Sequence, residues 1–73
     1  MIYYFKSKYG LFSIRPQPGA DRVQLFLNEE ILGSYVNAAS AAEDVYIQET
    51  GYFEWDYQTD VGRPITLADW HKR

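Results

Sequence analysis

Cysteine is absent from this chain, which excludes disulfides, iron–sulfur clusters and thiolate zinc sites. Histidine occurs once, at position 71, close to the C-terminal end, where chains fray. There it reads as a solvated residue that favours a helix C-terminal dipole. Without a thiol or a held imidazole, nucleophilic catalysis has almost nothing to work with. No run approaches the roughly 18 apolar residues of a membrane span. The opening MIYYFKSK sets apolar residues before its lysines, the reverse of a signal peptide, and no cleavage motif follows. A cytoplasmic chain is the expectation. No glycine-rich phosphate cradle occurs. Glu54, Asp56 and Asp60 match no calcium loop, and 73 residues leave little room for a glycosidase-type cleft between facing acids. No catalytic, metal or cofactor site is expected, and the chain is not expected to be an enzyme.

Basic residues are missing over a long stretch. Between Val23 and Gly62 stand Glu29, Glu30, Glu43, Asp44, Glu49, Glu54, Asp56 and Asp60, with no Lys or Arg. Before Val23, Lys6, Lys8, Arg15 and Arg22 face only Asp21. A net charge of −3 therefore hides a basic half and an acidic half, a distribution that bears on partners. What the chain has in plenty is aromatic rings: four Phe, seven Tyr and two Trp. Each buried ring removes roughly 150–250 Å² from water, which offsets the small size of the core.

The pattern predicts one α+β domain over residues 1–73, with sheet in 2–36, a helix over 38–50 and a wrapped tail over 52–73. Ile2 to Lys8 alternates as an edge strand, Tyr3 and Phe5 opposed to Tyr4, Lys6 and Lys8. Tyr9-Gly10 is a turn. In Leu11 to Arg15, Phe12 and Ile14 oppose Ser13 and Arg15. Pro16, Pro18 and Gly19 mark a loop. In Arg22 to Asn28, Val23, Leu25 and Leu27 oppose Arg22, Gln24, Phe26 and Asn28. Asn28 to Glu30 turns into a fourth strand, Ile31 to Val36, with Gly33 a candidate bulge.

Two N-caps compete for the helix, Asn37 and the Ser40-Ala-Ala-Glu43 capping box. Asn37 is preferred because it brings Ala38 into a stripe with Ala41, Ala42, Val45 and Tyr46. Glu43 and Asp44 read as first-turn acids favoured by the helix dipole. Gly51 is the expected stop. The alanines let the helix lie close on the sheet. Ile47 falls off the stripe and is either exposed or covered by residues 52 to 60 wrapping back. Asp56 reads as a turn cap accepting backbone N–H bonds. Beyond Pro64, Thr66-Leu-Ala-Asp69 predicts the start of a short terminal helix with Leu67 and Trp70 inward. The expected architecture is a three- to four-stranded antiparallel β-meander packed on one main helix, with an aromatic tail and that short C-terminal helix.

Leu32-Gly33-Ser34-Tyr35, Ala41-Ala42 and Tyr46 resemble a stretch of the plant ethylene-response DNA-binding domains. The resemblance implies three strands on one helix. It does not extend to the arginines and tryptophans with which that family reads DNA. Gly33-Ser34-Tyr35, Ala41-Ala42-Glu43-Asp44-Val45, Thr50-Gly51, Trp55-Asp56 and Pro64-Ile-Thr-Leu67-Ala-Asp-Trp70 are similar to the recurring pattern of a family of small bacterial proteins. This chain has Glu43 where that pattern has aspartate and Ala38 where it commonly has proline. The likeness implies a fold and no activity.

By strand parity the sheet face away from the helix presents Tyr4, Lys6, Lys8, Ser13, Arg15, Arg22, Gln24 and Phe26. Cations among rings suit an acidic protein surface, or phosphates and stacked bases. The expected function is a non-enzymatic binding or accessory module whose candidate contacts are Lys6, Lys8, Arg15, Arg22, Gln24 and Phe26. The expected partner is a protein, and no membrane is involved. Weak nucleic-acid binding by the same face is the alternative, and an inhibitor borne by a phage or mobile element a third reading.

Overall fold

In a computed structural model, residues 2–58 and 63–73 are described. Asp60, Gly62 and positions 59 and 60 of the expected wrap lie outside the described residues. The strands are β1 (Tyr3–Ser7), β2 (Gly10–Pro16), β3 (Val23–Leu27), β4 (Glu30–Tyr35) and β5 (His71–Lys72). They form one antiparallel sheet in the order β4-β3-β2-β1-β5. The helices are α1 (Ala38–Ile47) and α2 (Phe53–Asp56), and a 3₁₀ turn spans Leu67–Asp69. The α+β class and the meander on one main helix are as the pattern predicts. None of the described helices is long and apolar enough to cross a membrane.

Period-two alternation sends Phe12 and Ile14 of β2, and Leu25 and Leu27 of β3, to the helix side, where all four are buried. Ala41, Ala42 and Val45 of α1 meet them there, with Trp55 of α2 and Trp70 completing the core. Asn37 is the N-cap, its Oδ1 accepting from the Ser40 N–H at 2.8 Å. Ala38 packs against the core partly buried, and Tyr46 stands outside the core with the Arg63 guanidinium 5.0 Å from its ring. Since α1 starts at Ala38, its first turn holds no acid, and Glu43 and Asp44 lie further along it. Asp44 Oδ2 instead accepts from the Tyr35 hydroxyl at 2.8 Å, tying β4 to α1.

The helix ends at Ile47, three residues before the expected limit, because Gln48 turns left-handed with φ 61°. Its side-chain amide donates to the carbonyls of Trp55 and Gln58, both at 2.8 Å, so the reversal is anchored to the chain that follows. Asp56 then caps the connection. Its carboxylate accepts from the Thr50 N–H at 3.0 Å, the Thr50 hydroxyl at 2.8 Å and the Gly51 N–H at 2.8 Å. This closure carries Trp55 back onto α1, where its indole N–H donates to the Val45 carbonyl at 2.9 Å. Ile47 itself stays 43% exposed.

The largest departure from expectation is β5. The terminal turn forms as a single 3₁₀ turn closed by a Thr66–Asp69 capping box, and Trp70 then runs extended. Trp70 is buried 5.8 Å from the Phe5 ring, which delivers His71 and Lys72 alongside Tyr4 and Tyr3. The Ile2 and Arg73 backbones exchange hydrogen bonds of 2.8 and 2.7 Å, extending the pairing. β1 is consequently an interior strand, and His71 belongs to the sheet rather than to a frayed helix end.

Candidate nucleic-acid or protein interface

No helix among the described residues packs on the sheet face opposite α1. Of the predicted contacts, Lys6, Arg15, Gln24 and Phe26 fall on this face as parity requires. Tyr4 pairs with Ser13, Lys6 with Leu11, Ser13 with Phe26 and Arg15 with Gln24 across the ladders. Arg15 stacks its guanidinium 4.1 Å from the centre of the Phe26 ring. Its Nε donates to Ser13 Oγ at 2.9 Å, and a terminal nitrogen lies 3.6 Å from the exposed Glu29 carboxylate. Ser13 is thereby buried although it points away from the core.

Lys8 is placed differently, and Arg22 is engaged within the chain beside Ser34, the cross-strand neighbour of Gln24. β1 stops at Ser7, so Lys8 belongs to the hairpin turn, where alternation no longer applies. Its ammonium lies 5.3 Å from the Tyr9 ring, and Tyr9 packs with Tyr52 toward the helix side. Lys8 is thus outside the cluster. Arg22 precedes β3 and spends its guanidinium within the chain, donating to the Ser34 hydroxyl at 2.9 Å and its carbonyl at 3.1 Å. Ser34 in turn donates to Gln17 at 2.7 Å, so Arg22 fastens the 16–22 loop to β4.

Asn28 joins this face, as its grouping with Gln24 and Phe26 implies, and the members that sequence reasoning did not name include Leu11, Ile31 opposite Phe26, His71 and Arg73. β5 brings the last two. His71 stacks on Tyr4 with centroids 5.1 Å apart, and the Arg73 guanidinium lies 5.2 Å from the same ring. The only signal for them was the polar run after Trp70, too short to carry a period.

The face holds a groove of about 470 Å³ lined by Tyr4, Lys6, Ser7, Leu11, Asn28 and Arg73. On the other side, a cleft of about 400 Å³ between α1 and the 3₁₀ turn is lined by Ala39, Ala42, Glu43, Ile65, Leu67 and Ala68. Neither cavity brings two carboxylates together. Among the described residues no three metal-ligating side chains converge.

Charge divides along the same layers. Glu43 and Glu49 on and just beyond α1, and Glu54 on α2, are exposed on the helix side, whereas Lys6, Arg15 and Arg73 mark the sheet side. Comparison with models of protein families, with curated proteins and with solved structures returns no match to this chain.

Proposed function

We propose that this chain is a non-enzymatic binding module of the cytoplasm that docks a protein partner on the sheet face opposite α1. The observation that carries this reading is the state of the rings there. Phe26 lies under Arg15, and Tyr4 is in contact with His71 and Arg73. Nucleic-acid binding modules of this size stack bases on free aromatic faces. These rings are already engaged by the chain's own cations. A guanidinium laid on a ring keeps its edge toward incoming acceptors, the geometry in which arginine recognises carboxylates.

The test is affinity capture with the immobilised chain, followed by identification of the retained protein. Arg15→Glu and Phe26→Ala are expected to abolish its retention while the folded signal in circular dichroism persists. Retention that survives both changes but is lost in Glu43→Lys or Glu49→Lys would move the docking surface to the helix side and refute the reading. Amide shifts at Lys6, Arg15 and Phe26 on adding short single-stranded DNA, with no protein retained, would favour the nucleic-acid alternative.

A further inference from the structure

Of the polar side chains lining the groove, Lys6, Arg73 and the Asn28 amide nitrogen keep donors without a partner among the described residues, and no lining side chain is acidic. Asn28 is fixed at the first position of the β3–β4 turn with φ 55°. Its backbone N–H donates to the Leu11 carbonyl at 2.8 Å and its Oδ1 accepts from the Leu11 N–H at 3.0 Å. That leaves the amide nitrogen, which has no partner among the described residues, as the free end. Gly10 makes this possible. A Cβ at Gly10 would collide with the Asn28 side chain, and its φ of 137° also suits only glycine. Ser7 is used up locally, donating to the Gly10 carbonyl at 2.8 Å and accepting from the Tyr9 N–H at 3.2 Å. Lys6 and Arg73 add two cations that have no acidic partner within 4.0 Å among the described residues. Leu11 and Tyr4 supply apolar lining between them.

We infer that this groove receives an acidic segment of the protein partner, a carboxylate side chain held by Lys6, Arg73 and Asn28 with an apolar neighbour against Leu11. The inference rests on the sheet face being a protein-docking surface and names the chemistry it selects. Charge complementarity sets the ligand's sign, because two cations and an amide donor give an anion charge-assisted hydrogen bonds strong enough to offset its larger desolvation cost. A phosphate polymer fits less well. Its affinity grows with the number of cation–phosphate contacts, and among the described residues Lys6 and Arg73 are the two cations lining the groove. Its one ring, Tyr4, is occupied by His71.

The experiment is a titration of the ¹⁵N-labelled full chain with a blocked peptide of alternating Glu and Leu. The matching Gln–Leu peptide, inorganic phosphate and decathymidylate are titrated separately. The Glu peptide is expected to shift the amides of Tyr4, Lys6, Leu11, Asn28 and Arg73, less so as salt rises. Replacing Glu by Gln in the peptide, or making Lys6→Gln or Arg73→Gln in the chain, should weaken binding about tenfold, roughly one charge-assisted hydrogen bond. Dispersed spectra of both variants would show that the fold persists. Equal shifts with the Gln peptide, or stronger shifts with decathymidylate, would overturn the inference. So would slower diffusion at high protein concentration with the same amides shifting, since a second copy's acidic helix would then be the occupant. If no peptide moves these amides while Arg15→Glu still abolishes partner capture, the groove assignment falls and the docking reading stands.

Discussion

Asp56 shows how one side chain in so small a core can hold an entire connection. Three donors from Thr50 and Gly51 converge on its carboxylate, and Thr50 is buried. Asp56→Ala is expected to cost about 2–3 kcal/mol, because the two donors of buried Thr50 lose a charged acceptor, whereas the Gly51 N–H, on an exposed residue, can turn to water. Urea denaturation would measure it, and Asp56→Asn should recover part of the loss. Tyr35 works on pH. Burial first, then the Asp44 carboxylate that accepts its hydroxyl, push its pKa well above the ordinary 10.0. The folded chain therefore holds that proton more tightly than the unfolded chain does. Its contribution is complete below pH 10 and falls as the pH rises beyond it, where the unfolded tyrosine ionises. Denaturation midpoints taken across the alkaline range should fall more steeply for the wild type than for Tyr35→Phe.

Among the elements, α1 and β5 are held by opposite devices. The α1 helix lies close because Ala41 and Ala42 add almost nothing between backbone and sheet, and both are buried. Ala41→Leu should force the layers apart and cost about 1–3 kcal/mol by overpacking. In a domain of this size each 1 kcal/mol is worth roughly 4–8 °C in Tm, which calorimetry resolves. β5 is two residues long and cannot pair by its own propensity. It is held by Trp70, the large ring just before it, seated against Phe5. Trp70→Ala should cost about 3–5 kcal/mol. Hydrogen exchange at the Arg73 amide, which donates to the Ile2 carbonyl, should lose its protection first.

Over the whole molecule, one sheet separates a dominantly acidic surface from a basic one. Arg63 crosses that division, its guanidinium 5.0 Å from the Tyr46 ring of α1, and Glu29 crosses it in the other direction, 3.6 Å from Arg15 with its side chain 90% exposed. Such an exposed pair contributes little to stability. Arg15→Glu should therefore lower the unfolding free energy by about 1–2 kcal/mol, from the lost contact with Phe26 and the lost hydrogen bond to buried Ser13, and leave the chain folded. Partner capture should vanish in the same variant. That separation of stability from binding is the check that distinguishes a docking surface from a structural one.

Much of this was legible in the residues. The inward alternation of Phe12, Ile14, Leu25 and Leu27, the Asn37 cap, the alanine stripe and the Asp56 turn all follow from rules acting over a few positions. Local physics is sufficient there, because backbone donors and period-two or period-3.6 faces must be satisfied within neighbouring residues. The misreadings were of another kind. Lys8 left the predicted face because the turn came one residue early, and the bonds by which Arg22 holds Ser34, twelve positions away, had no local signal. Gln48 ended α1 by reaching carbonyls of the following segment. Only the tertiary structure decided that residues 70 to 73 return to β1. The energy for that return comes from burying Trp70 against a ring sixty-five positions earlier, a contact no local pattern encodes. The same return set His71 and Arg73 beside Tyr4 and Lys6, and so made the groove.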